Sequence, residues 1–128
     1  IIMSQNDSSN SGSVDAQLAE LQRNYILKLD QKIKDILGVW QTLQNSPQPT
    51  DDIYNLHRTV HSVAGTSAIL NFMEVSRICS SIELLLLPIL KATTYEESTL
   101  SQIDTHMKDL NTLRQNQDYS AKPINLEG

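Results

Sequence analysis

The chain has a single cysteine, Cys79, which rules out an intramolecular disulfide and a cysteine-rich metal site. That usage points to a reducing, cytosolic compartment. Glycine and proline are scarce as well, four of each in 128 residues, leaving little material for the many tight turns of an all-β fold. Aromatic residues are few, with one Phe, one Trp and four Tyr, so a core has to come from aliphatic side chains. Positive charge is outnumbered, ten Lys and Arg against fifteen Asp and Glu, for a net charge of −5. There is no basic stripe of the kind a nucleic-acid surface needs, and no basic amphipathic face for a membrane. The longest apolar run, Leu84 to Leu90, is interrupted by Pro88 and falls far short of the roughly 20 residues that cross a bilayer. The first thirteen residues, IIMSQNDSSNSGS, carry no signal-peptide pattern. A Gly-rich nucleotide loop is missing too, so the chain alone is not expected to use ATP.

What the chain has in quantity is Leu and Ile at helical spacing. Residues 1–13 are Ser- and Asn-rich and read as a disordered tail. From about Val14, Leu18, Leu21, Tyr25, Leu29, Ile33, Ile36, Trp40 and Leu43 recur at steps of three and four, one stripe of a helix of about eight turns. Asn45-Ser46-Pro47-Gln48-Pro49 ends it. Thr50 is the expected N-cap of a second helix, with Asp51 and Asp52 in its first turn, where the helix dipole favours anions. Its seam is Ile53, Leu56, Val60, Val63, Ser67 and Leu70, and it breaks near Asn71, a residue type that tolerates the left-handed C-cap. A third helix places Val75, Ile78, Ile82, Leu85 and Ile89 inward, with Cys79 as a small core residue and a kink or early exit at Pro88. Thr94-Tyr95-Glu96-Glu97 reads as a capping box opening a fourth helix with the stripe Leu100, Ile103, Met107 and Leu110. From Gln115 the chain turns polar, and residues 118–128 read as a tail or linker. Four amphipathic helices on short connections, over residues 14–117, describe an all-α, antiparallel up-and-down four-helix bundle. Bundles serve many functions, so function has to come from a site.

On the second helix, the seam between Val60 and Val63 sets the core direction, and His61 lies about 130° away from it. His61 is therefore expected to be exposed. Gly65 sits one turn on, in mid-helix, where glycine costs roughly 1 kcal/mol relative to alanine. It would clear an approach to the imidazole, and Ala64, Ala68 and Ile69 would make the surroundings small and mildly apolar. Spacing alone favours the plainer reading, an ordinary surface histidine beside a tolerated glycine. If the second and third helices form a hairpin turning near Phe72, then His61 and Glu83, each eleven positions from it, stand level. A carboxylate there would accept the Nδ1 proton and leave the Nε2 lone pair toward solvent; a merely solvated carboxylate is the plainer alternative. His57, four residues before His61, makes an i, i+4 pair, but no third ligand is placed by the pattern and no metal is expected. His57 is read as flanking the core boundary, and His106 as half-buried and satisfied.

The stretch His61-Ser62-Val63-Ala64-Gly65-Thr66-Ser67-Ala68-Ile69-Leu70-Asn71-Phe72 resembles the phosphohistidine motif of histidine-phosphotransfer (HPt) domains. In that family the histidine is followed at the fourth position by glycine, then by small residues. Val75-Ser76-Arg77-Ile78-Cys79-Ser80-Ser81-Ile82-Glu83 is similar to the family's third-helix signature. In helix order and length the resemblance spans Leu18 to Gln117, and its specific part is residues 56–83. It implies that His61 carries a phosphoryl group and that Glu83 orients its ring. The partners it implies are receiver domains of response regulators or hybrid histidine kinases, with no small-molecule substrate. Mg²⁺ and most catalytic groups would sit on the receiver, which would dock over the first two helices, so the chain is a relay intermediate rather than an enzyme. Two positions depart from the family. The frequent lysine three residues after the histidine is Ala64 here, so Arg58, one turn before His61, is the alternative source of positive charge. Asn71 stands where the family usually has glycine, a substitution the left-handed turn accepts. The competing readings are a helical adaptor that docks receivers without relaying phosphate, and a phosphoacceptor domain of a larger kinase.

Overall fold

The computed structural model describes residues 10–43, 50–91 and 96–119, with side chains from Val14 onward. Four helices account for nearly all of them: α1 (Asn10–Leu43), α2 (Asp51–Ile69), α3 (Met73–Leu90) and α4 (Glu97–Asn116). Each helix packs on its neighbours in sequence and α1 closes on α4, so the helices stand in a square with α2 and α3 in the most extensive contact. This is an all-α four-helix bundle.

The core is aliphatic, as composition requires. Leu29, Ile33 and Ile36 from α1, Ile53, Val60 and Val63 from α2, Ile78, Ile82 and Leu86 from α3, and Ile103 and Leu110 from α4 are all essentially inaccessible. Trp40 joins them at 2% exposure, its indole Nε1–H donating to Asp104 Oδ1 at 2.6 Å. The α2 seam is buried in full, Ser67 and Leu70 included. In α3 the phase differs from the expected one: Leu86 is the buried residue, and Leu85 is only partly so. The run Leu84-Leu85-Leu86-Leu87 holds no polar residue to mark its outer face, so spacing alone could not choose between two adjacent positions.

The ends of the helices differ more. Helix α1 begins at Asn10, so residues 10–13, expected in the tail, are helical. Extending an existing helix by a turn needs no new nucleus, and polar residues suffice for it. Residues 1–9 lie outside the described residues. At 34 residues α1 is about 51 Å long, against roughly 28 Å for α2. Gln22 Nε2 donates to the Leu70 carbonyl at 2.8 Å, so α1 residues before Gln22 run past the end of α2. That overhang is why Leu21 is 54% exposed and Leu18 only partly buried, although both continue the inward stripe.

Thr50 has the extended backbone of an N-cap, and its carbonyl accepts from Tyr54 N at 3.1 Å, but its side chain makes no capping bond. The Pro-containing stop after α1 lies outside the described residues. Helix α3 runs through Pro88 to Leu90 rather than leaving there; the proline gives up the N–H that would reach the Leu84 carbonyl and its ring crowds that carbonyl, a cost met in the last turn of the helix. Helix α4 opens at Glu97 from Glu96, two residues later than a capping box on Thr94 would place it, and Thr94 lies outside the described residues. Asn71 takes the left-handed conformation, φ 66°. Its N–H donates to the Ala68 carbonyl and that of Phe72 to the Ser67 carbonyl, at 3.1 and 2.8 Å, a Schellman stop. At the other end, Tyr119 is 2% exposed and packs into the core. The bundle therefore includes at least part of what reads as a C-terminal tail.

Candidate functional site

The hairpin of α2 and α3 around Asn71 and Phe72 brings His61 and Glu83 together. His61 Nδ1 lies 2.7 Å from Glu83 Oε2. An ionised carboxylate only accepts, so the proton at this contact belongs on Nδ1 and the ring donates. Nε2 then carries the lone pair. The His61 side chain is 70% exposed, whereas that of Glu83 is 24% exposed. The ring is held from beneath and open above. Such a group is a nitrogen nucleophile with a fixed tautomer, one that an electrophile in another molecule can reach.

The α2 surface around His61 follows from helical phase. Tyr54, Arg58, Gly65, Ala68 and Ile69 fall near the same azimuth, and all are exposed. Arg58 has no hydrogen-bond or ion-pair partner among the described residues. A Cβ built on Gly65 would meet nothing within 4 Å, so no packing inside the chain requires glycine there. Ala64 is a correction. It is 6% exposed and belongs to the core, not to a docking surface. Its azimuth turns toward α3, where Ser76 Oγ donates to its carbonyl at 2.9 Å, and its small side chain suits that close approach.

Sequence reasoning passed over Tyr54, which together with Ile69 puts large apolar side chains about two turns to either side of His61, 48% and 80% exposed. The spacing of seven residues could have found it. His57 reaches the same carboxylate, its Nε2 4.0 Å from Glu83 Oε2. The i, i+4 pair was visible, but its shared partner lies on another helix. His106 also differs from expectation, since its Nδ1 is buried and has no hydrogen-bond partner among the described residues.

The buried groups near the site are chemically quiet. Burial, and secondarily the charge of Glu83, pushes the Cys79 thiol up to about 12, far from the thiolate that a reactive cysteine needs. Burial also raises the Tyr25 hydroxyl, an effect that the nearby Thr66 side chain partly offsets. Among the described residues no group of three or more His, Cys, Asp or Glu is arranged to hold a metal ion, and no helix is long and apolar enough to cross a membrane.

A family model described as Hpt domain matches residues 12–116. Nothing among curated proteins matches the chain, and nothing among solved structures does.

Proposed function

The chain belongs to the Hpt domain family, whose members are phosphorelay intermediates of two-component signalling, and on that premise we propose that His61 is its phosphoacceptor. The carrying observation is the pairing of an exposed imidazole with a partly buried carboxylate at 2.7 Å. In this reading a receiver domain bearing a phospho-aspartate docks over the exposed faces of α1 and α2. The Nε2 lone pair attacks phosphorus in line; the Nε2–P bond forms as the bond to the aspartyl oxygen breaks, and the aspartate leaves as carboxylate with the electron pair. The ring becomes cationic, and its Nδ1–H goes on donating to Glu83, whose charge stabilises it. Transfer onward to a second receiver reverses these events.

This chain contributes orientation and an oriented nucleophile, in keeping with a reaction that depends on positioning and electrostatics. Mg²⁺, which would neutralise phosphoryl charge, is assigned to the receiver. Arg58 is the basic residue of α2 on the His61 face and has no partner among the described residues, and we assign it the role of steadying the incoming phosphoryl group. Gly65, Ala68, Tyr54 and Ile69 supply the surface on which the partner rests. We place the reaction in the cytoplasm.

Incubation with a phosphorylated receiver tests the reading. Wild type should acquire acid-labile, base-stable label and His61→Gln should acquire none. A folded wild-type chain that takes no label from its cognate receivers would leave a docking adaptor as the function.

A further inference from the structure

The carboxylate of Glu83 faces two histidines. Oε2, which accepts from His61 Nδ1 at 2.7 Å, is also the atom 4.0 Å from His57 Nε2. His57 and His61 are one turn apart on α2, so both rings overhang the flank of α3 that carries Glu83. The His57 side chain as a whole is 22% exposed, yet its Nε2 is shut off from solvent and has no hydrogen-bond partner among the described residues. Glu83 is the one acidic side chain within 4.0 Å of that nitrogen among the described residues. A buried ring nitrogen without a partner is rare and calls for an explanation. A side chain that only filled the core boundary would have no reason to turn a polar atom toward the carboxylate of the site.

We propose that His57 is a positioning residue that holds Glu83 in place for His61, a proposal that rests on reading His61 as the phosphoacceptor. Glutamate has three rotatable bonds, and with one partner its carboxylate can swing away from the ring it orients. A second donor directed at the same oxygen removes that freedom. A shift of about 1 Å brings the 4.0 Å contact into hydrogen-bond range. With Nε2 protonated, His57 turns the positive end of its ring dipole toward the carboxylate. Glu83 is thereby kept in register, and the tautomer of His61 is fixed at one remove. His57 touches no reacting atom.

The test uses the full chain with His57→Leu, which removes the donor, and His57→Gln, whose amide nitrogen reaches to the Nε2 position. Long-range ¹H–¹⁵N spectra report which nitrogen of His61 carries the proton. Wild type and His57→Gln should hold His61 in the Nδ1–H form, and His57→Leu should move it toward the Nε2–H form that free imidazole favours. Phosphoramidate gives a partner-independent rate: the His61 Nε2–P bond forms as the donor P–N bond breaks and ammonia leaves. His57→Leu should label about tenfold more slowly, the lower end of what loss of an orienting partner costs, and His57→Gln should restore the rate. If His57→Leu does not fold, His57→Asn takes its place, because its amide reaches only to the Nδ1 position and should fail where Gln succeeds. An unchanged His61 tautomer in the variant lacking the donor overturns the proposal. The phosphoacceptor reading fails by a different sign, label retained in His61→Gln.

Discussion

The rings of Phe72 and Tyr119 meet edge to face, their centroids 6.0 Å apart and their planes at 68°. Both residues follow helices that end in the same way. Asn71 after α2 and Gln117 after α4 take left-handed backbone at φ 66° and 56°. After each, the next N–H folds back to a carbonyl of the last turn, Phe72 to Ser67 and Asp118 to Leu113. Two Schellman stops built without glycine thus turn the chain inward at the same end of the bundle. The Tyr119 carbonyl then accepts from Val75 N at 3.4 Å. This latch secures the start of α3, the helix that carries Glu83.

Tyr119→Ala should therefore cost about 3 kcal/mol, the scale of deleting a buried aromatic ring. Urea unfolding of the two proteins measures it directly. A chain ending at Gln117 should lose a similar amount. A loss below about 0.5 kcal/mol, the range of ordinary surface substitutions, would mean that the ring only rests on the bundle.

Loss of Glu83 should act on rate and leave stability nearly alone, since its side chain is partly exposed and its bond is to an exposed ring. Glu83→Ala is expected to slow phosphoryl transfer from a phospho-receiver by about 10- to 100-fold, as loss of an orienting partner does at other histidines. Glu83→Gln keeps an acceptor oxygen without the charge and should fall between the two. Equal rates for all three proteins would remove Glu83 from the mechanism.

Much of this site was legible in the sequence, and the reasons are geometric. The α2–α3 hairpin turns about Phe72 with equal arms, so counting residues located a contact between helices. The α2 seam contains no ambiguous run, and its phase decided that His61 faces outward. Legibility failed where the deciding fact lay off the helix concerned. Ala64 is buried because α3 comes close to it, which its own helix does not announce. Tyr119 is an isolated aromatic in a polar stretch, with no period to flag it. His57 was a visible neighbour of His61, but its orientation depends on a carboxylate 26 positions away.

Gly65 separates docking from folding. Since an added Cβ meets nothing in the chain, Gly65→Ala should stabilise the helix by up to about 1 kcal/mol. Gly65→Gln should fold equally well but obstruct the face beside His61, slowing transfer at least about tenfold through misplacement of the partner. Thermal melts and labelling rates on the same samples give both quantities. A Gln variant that transfers at the wild-type rate would show that no partner approaches closely there.

Alkaline pH offers a test of the core. Cys79 is neutral in the folded state, and its thiol is pushed up to about 12 from an ordinary value of 9.0. A raised folded pKa means that the unfolded chain gives up its proton first as pH rises. Stability is thus fully present below pH 9.0 and falls as pH climbs toward 12. The difference of three units, 12 − 9.0, corresponds to at most about 4 kcal/mol by the end of that window. Burial raises the Tyr119 hydroxyl in the same direction, starting from 10.0, so the two losses overlap. Cys79→Val removes one of them: a valine fills the site and has no proton to lose. Urea unfolding at pH 8 and pH 11 should show a steeper fall for wild type than for Cys79→Val, by about 2 to 3 kcal/mol. Parallel falls would mean that Cys79 gains solvent before it ionises, and that α3 opens more readily than its burial suggests.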